Sequence, residues 1–68
     1  MKWSIGDYAI VIRNGGHEFP IGSVVEIIEI VNFHKTTFLS KSKNSPFRQW
    51  MYPDQLINLN INKNIKIL

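Results

Sequence analysis

The chain contains no cysteine, so neither disulfides nor thiolate metal centres hold it together. Proline is scarce, and its three residues, Pro20, Pro46 and Pro53, all fall in segments that read as turns or loops. No apolar run approaches the roughly 20 residues that a membrane helix requires. The opening Met1-Lys2-Trp3-Ser4 lacks the apolar stretch of a secretory signal. A cytoplasmic protein is the expectation, and the missing cysteines fit it. Acids are outnumbered by bases, five to eight, for a net charge of +3, and the bases form no dense block. Such a surface permits attraction to nucleic acid without requiring it. Histidine is limited to His17 and His34. Together with Asp7, Glu18, Glu26, Glu29 and Asp54 they show no ligand spacing of the His-x-x-x-His kind. Nothing resembles a nucleophile elbow or a phosphate loop. The chain therefore reads as non-enzymatic, with no metal and no cofactor expected.

What is present is the composition of a folded domain, 44% hydrophobic with only 19% charged. Sixty-eight residues make one domain. Its core alone supplies about 3–5 kcal/mol, so tight packing or self-association has to add to it.

Short β-rich runs alternate with turn residues. Gly6-Asp7 marks an entry turn, and Tyr8 to Arg13 then reads as a strand. A long loop follows, Arg-Asn-Gly-Gly-His-Glu-Phe-Pro-Ile-Gly, residues 13–22. Ser23 to Val31 is a second strand by its β-branched content. Neither of its faces, Val25-Ile27-Glu29 or Val24-Glu26-Ile28-Ile30, is cleanly polar, which calls for a bulge or burial on both sides. Asn32 to Lys35 reads as a turn, and Thr36 to Ser42 as a third strand. A polar loop, Lys41 to Pro46, leads to a fourth strand, Phe47 to Met51. Pro53-Asp54 turns the chain, as one turn of 3₁₀ helix, into a short fifth strand ending at Asn58. Short strands with this punctuation and no convincing helix predict an all-β fold, a small antiparallel barrel of about five strands.

The C-terminus differs. Ile57, Leu59, Ile61, Ile65 and Ile67 share one parity, while Asn58, Asn60, Asn62, Asn64 and Lys66 share the other. This period of two predicts an extra strand over 60–68 with one face that wants burial, beyond a barrel spanning 1–59. Left free it would be an aggregation-prone edge. Ile61, Ile65 and Ile67 are the candidate contacts of a homo-oligomer.

The segments Ile5 to Ile12 (IGDYAIVI), Ile21 to Ile28 (IGSVVEII) and Trp50 to Leu59 (WMYPDQLINL) together resemble an SH3-like barrel. The His-Glu-Phe-Pro-Ile-Gly segment, His17 to Gly22, is similar to the loop after the first strand in small SH3-like proteins encoded by tailed phages. The resemblance implies the barrel fold, a setting in the host cytoplasm, and a binding role in host takeover or counter-defence. The implied partners are a host protein, nucleic acid or a signalling nucleotide.

In SH3-like barrels that loop lies near the aromatic fourth strand. The resemblance thus places Arg13, His17 and Phe19 near Trp50 and Tyr52. An aromatic platform edged by cations suits a peptide or a base. Arg13 and Asn14 would offer donors to a phosphate or carboxylate. The structural alternatives are equally specific. Phe19, Pro20 and Ile21 would cap the core, His17 would order the loop by hydrogen bonds, and Trp50 would fill the interior. A second basic set, Lys35, Lys41, Lys43 and Arg48, is the candidate for a phosphate backbone.

Overall fold

The computed structural model describes residues 3–60. Strands β1 (Tyr8–Val11), β2 (Val24–Phe33), β3 (Lys35–Ser42), β4 (Arg48–Met51) and β5 (Leu56–Asn58) form one antiparallel sheet in the order β4-β3-β2-β1-β5. A 3₁₀ turn, Pro53–Gln55, precedes β5 as expected. The class is the predicted one, all-β with five strands. Among the described residues no helix is long and apolar enough to cross a membrane.

The sheet does not close into the expected barrel. Its edges, β4 and β5, share no ladder. The chain leaving β4 offers little to one. The Tyr52 N–H donates to the Gln55 side chain at 2.9 Å, and Pro53 has no N–H at all. Closure of the core is instead left to side chains and to the loop after β1.

One face of every strand feeds a single cluster: Ala9 and Val11, Val25 and Ile27, Phe38, Met51 and Leu56. The sheet must curl around it. Phe19 enters from the loop, and Trp3 stacks on Phe38 with ring centroids 4.7 Å apart. The mixed pattern of β2 has a simple cause. An extra residue, Ile28, shifts the register between Ile27 and Glu29. Parity reverses there, so Val25 and Ile27 point inward before the bulge and Ile30 packs inward after it.

The turn between β2 and β3 is tighter than predicted. Phe33 still pairs with Lys35, and His34 alone makes the corner at φ 58°. Before β1 the entry turn is as read. The Ser4 N–H donates to the Asp7 carboxylate and the Asp7 N–H returns to the Ser4 carbonyl.

The expected burial of the C-terminal apolar parity is reversed in β5. Ile57 is 50% exposed and Asn58 only 6%. Pairing of Ala9 with Asn58 and of Ile10 with Ile57 puts the asparagine on the inner face. Asn58 Nδ2 donates to Asp7 Oδ2 at 2.8 Å, and its Oδ1 accepts the Asn60 N–H at 2.7 Å. The Leu59 N–H donates to the Tyr8 carbonyl and the Asn60 side chain accepts the Tyr8 N–H, so residues 59 and 60 are tied to β1 just past the end of β5. The predicted tail contacts Ile61, Ile65 and Ile67 lie outside the described residues. Asn58→Ala is expected to lower stability by about 1–3 kcal/mol, through loss of buried hydrogen bonds. Ile57→Thr should change it by about 0.5 kcal/mol or less. Urea denaturation of both variants tests this order, and the reverse order would show the register to be wrong.

Candidate functional site

The long loop is held by its own residues. After β1 the Ile12 N–H donates to the Gln55 carbonyl at 2.8 Å. Gly15 and Gly16 take positive φ, 138° and 75°, and bend the chain. At that bend the buried Gln55 side chain donates to the Gly15 carbonyl at 2.7 Å. The Glu18 N–H donates to the Gln49 side chain at 2.9 Å, which ties the loop to β4. His17 works within the loop. Its Nδ1 accepts the Phe19 N–H at 3.1 Å, so that nitrogen carries no proton. Nε2 therefore bears the hydrogen and donates to the Arg13 carbonyl at 2.8 Å.

These contacts give Phe19 and His17 structural roles in the loop. Phe19, a candidate partner contact, is 3% exposed and belongs to the core. It caps the interior alone, because Pro20 and Ile21 are exposed, contrary to the expectation for them. Ser23 instead anchors Pro20, with both its N–H and its hydroxyl donating to the Pro20 carbonyl. His17 is the loop-ordering residue. Asn14 is exposed at the bend. Arg13 donates to the Asp54 carbonyl at 3.2 Å and stands 3.9 Å from its carboxylate, in an exposed pair worth no more than about 1 kcal/mol.

The fourth strand presents its aromatics differently from expectation. Phe38 pairs with Met51 and both point inward, so Leu39 and Trp50 point outward. Trp50 is 48% exposed and does not fill the core, because Met51 occupies that place. It shares neither the loop side nor the inner face, and the expected platform of Trp50 with His17 and Phe19 is not assembled. Tyr52 is placed closer to the prediction. Asp54, the partner of Arg13, also lines a shallow cleft of about 400 Å³ with Lys35, Thr36, Tyr52 and Pro53. The Lys35 ammonium lies 5.3 Å from the centre of the Tyr52 ring, within cation–π range.

The predicted phosphate-binding set divides. Lys35 stays at the Tyr52 cleft, at the far end of β3. Lys41, Lys43 and Arg48 come together in a larger cleft of about 900 Å³. Strand register explains how. Tyr8 pairs with Glu26, Glu26 with Lys41, and Lys41 with Arg48, which sets four side chains in one row across β1 to β4. Lys43 follows two positions after Lys41 on the same parity. The loop from Lys43 to Pro46 raises one wall of the cleft, braced where the Asn44 N–H donates to the buried Ser42 hydroxyl. Tyr8 and Val24, 42% and 47% exposed, supply apolar surface to it.

The electrostatics are uneven. Glu26 lies 3.9 Å from Lys41 and offsets part of its charge. Among the described residues no acid lies within ion-pair distance of Lys43 or Arg48. The cleft thus keeps a net positive charge and ready donors. Also among the described residues, no three His, Asp or Glu side chains converge as metal ligands would. Sequence reasoning missed Tyr8 and Val24 as lining residues, and Gln49 and Gln55 as loop anchors. Tyr8 follows once Ala9 and Val11 are the inner parity of β1, and Val24 once Val25 and Ile27 are the inner parity at the start of β2. The glutamines carry no pattern that marks them.

The molecule is a small five-stranded antiparallel domain with a basic, partly apolar cleft on the outer face of its sheet. Comparison with protein-family models, with curated proteins and with solved structures finds no match for the chain.

Proposed function

We propose that this protein is a non-catalytic binding module that holds nucleic acid in the cleft of Lys41, Lys43 and Arg48. The observation that carries this reading is the gathering of those cations, two of them without an acidic partner, beside exposed apolar surface. Cations on two neighbouring strands and on the loop that joins them suit a chain of phosphates, whose release of counterions drives binding. The loop after β1 supports the reading from the other side, since Phe19 and His17 are engaged in structure. The resemblance to tailed-phage proteins makes the host cytoplasm the proposed setting.

Three phosphate contacts predict a log–log salt slope of about −2 on a single strand. In the triple variant Lys41→Ala, Lys43→Ala, Arg48→Ala that slope should fall toward zero with binding itself. Lys35→Ala should keep both. Fluorescence anisotropy with labelled oligonucleotides at two salt concentrations measures this. No binding at low salt would overturn the proposal, as would equal binding of polyglutamate.

A second reading has its own observation, the half-exposed Tyr52 ring carrying Lys35 and flanked by Asp54 with Arg13. That cluster would take a host protein or a small ligand. Loss of partner capture in Tyr52→Ala but not in the triple variant would favour it. Self-association through the alternating C-terminal residues is compatible with either reading. Light scattering of a chain ending at Asn60 tests it, because ending at Asn58 would also remove the Leu59 and Asn60 bonds to β1.

A further inference from the structure

The aromatic residue in the basic cleft narrows what kind of nucleic acid fits there, and this step rests on the proposed reading of that cleft. Tyr8 stands at the β1 end of the row that continues through Glu26 and Lys41 to Arg48. Its ring is 42% exposed. Among the described residues no ring and no cation stacks on it, unlike Tyr52, which carries Lys35, and Trp3, which lies on Phe38. Neighbouring strands are about 4.8 Å apart, so roughly 14 Å separates the backbones at Tyr8 and Arg48. Lys41 lies near the end of β3, and Lys43 follows it in the turn just beyond Ser42. A ring at one end of a concavity and cations at the other matches a nucleotide's own division into base and phosphate.

A duplex cannot use this arrangement. Its bases are stacked on one another, so a ring on a sheet surface meets only their edges or the backbone. Reading a duplex takes an element that projects into a groove, a helix or a two-stranded ribbon. Here the charges line a recess walled by residues 43–46. A single strand offers free base faces to an aromatic side chain, and its flexible backbone can follow closely spaced cations.

We infer that the cleft selects single-stranded nucleic acid, with Tyr8 stacking a base while Lys41, Lys43 and Arg48 hold the adjoining phosphates. Glu26, in the middle of the row, keeps Lys41 extended across the sheet through their ion pair. Stacking tolerates any base, so the preference is for strand state and not for sequence.

The test is fluorescence anisotropy with an oligothymidylate of about 12 nucleotides and with a duplex of the same length. The single strand should bind at least about tenfold more tightly than the duplex. Tyr8→Ala should weaken single-strand binding by about tenfold or more, with Tyr8→Phe restoring it and Tyr52→Ala leaving it unchanged. Thermal melting of Tyr8→Ala establishes that the sheet is intact in that variant. Equal affinity for the two oligonucleotides, or full affinity in Tyr8→Ala while the triple lysine–arginine variant still fails, would overturn the single-strand inference and leave the charge-based reading standing. Absence of binding to both oligonucleotides at low salt would overturn the two together.

Discussion

Phe38→Ala is expected to leave the protein largely unfolded in water at 25 °C. Phe38 is 0% exposed at the centre of the inner face, with Met51 opposite it and the Trp3 ring stacked on it. Removing a buried phenylalanine costs about 3–5 kcal/mol, part as lost transfer energy and part as the cavity left behind. Collapse of the site is limited because its neighbours come from a paired β ladder and from Trp3, which has one stacking partner to lose. A domain of this size without disulfides has about 3–5 kcal/mol from its core. The two quantities match, so the variant lies at or beyond its midpoint. Phe33 and Phe47, 71% and 63% exposed, form the control. Alanine at either should shift stability by about 0.5 kcal/mol or less. Circular dichroism during urea denaturation reads all three. A cooperative transition for Phe38→Ala near that of the wild type would show that the core is elsewhere.

Gln55→Leu is expected to lower stability by about 2–4 kcal/mol, or roughly 10–25 °C in Tm for a domain of this length. Gln55 is 6% exposed, and its two side-chain ends serve different segments. Nε2 donates to the Gly15 carbonyl and Oε1 accepts the Tyr52 N–H. Leucine fills similar space and leaves both part-buried backbone groups without that partner. The long loop would then lose one tie to the 3₁₀ turn, while the Arg13 contacts with Asp54 and the Ile12 bond to the Gln55 main chain would survive. Gln55→Glu separates geometry from chemistry. It keeps an acceptor for Tyr52 but turns a carboxylate oxygen toward the Gly15 carbonyl, so it should be at least as damaging at neutral pH. Thermal melting, with hydrogen exchange at Tyr52, checks both. Wild-type protection of that amide in Gln55→Leu would remove the role assigned to the side chain.

Both variants touch residues that a linear reading ranks poorly. Phe38 and Phe47 each sit in a short β-rich run beside polar residues, and no local pattern marks Gln55. The same holds at the candidate site. Lys41, Lys43 and Arg48 were recognisable as cations in a polar stretch, but Lys35 belonged to the same stretch and ends up against Tyr52. Which cations meet depends on the β3–β4 register, and that register is set by burial of Phe38 against Met51. Trp50 is the sharpest case. Size and hydrophobicity argued for the core, yet the position next to it, Met51, is the one whose parity faces Phe38.

The chain by itself determined the number and kind of its elements. β-branched runs, the Gly, Pro and Asn breaks between them and the 3₁₀ turn at Pro53 are all local properties, and short-range sterics enforce them. It also determined what could not hold the fold together, because cysteine is absent. Only the tertiary structure decided which parity of β4 and β5 faces inward, whether the sheet closes, and which polar side chains are buried as anchors. Those outcomes depend on strand register. In a strand a shift of one residue exchanges every inward side chain for an outward one, and the choice rests on partners far away in sequence. Asn58 goes in and Ile57 stays out because Ala9 and Asp7, some fifty residues earlier, are where they are.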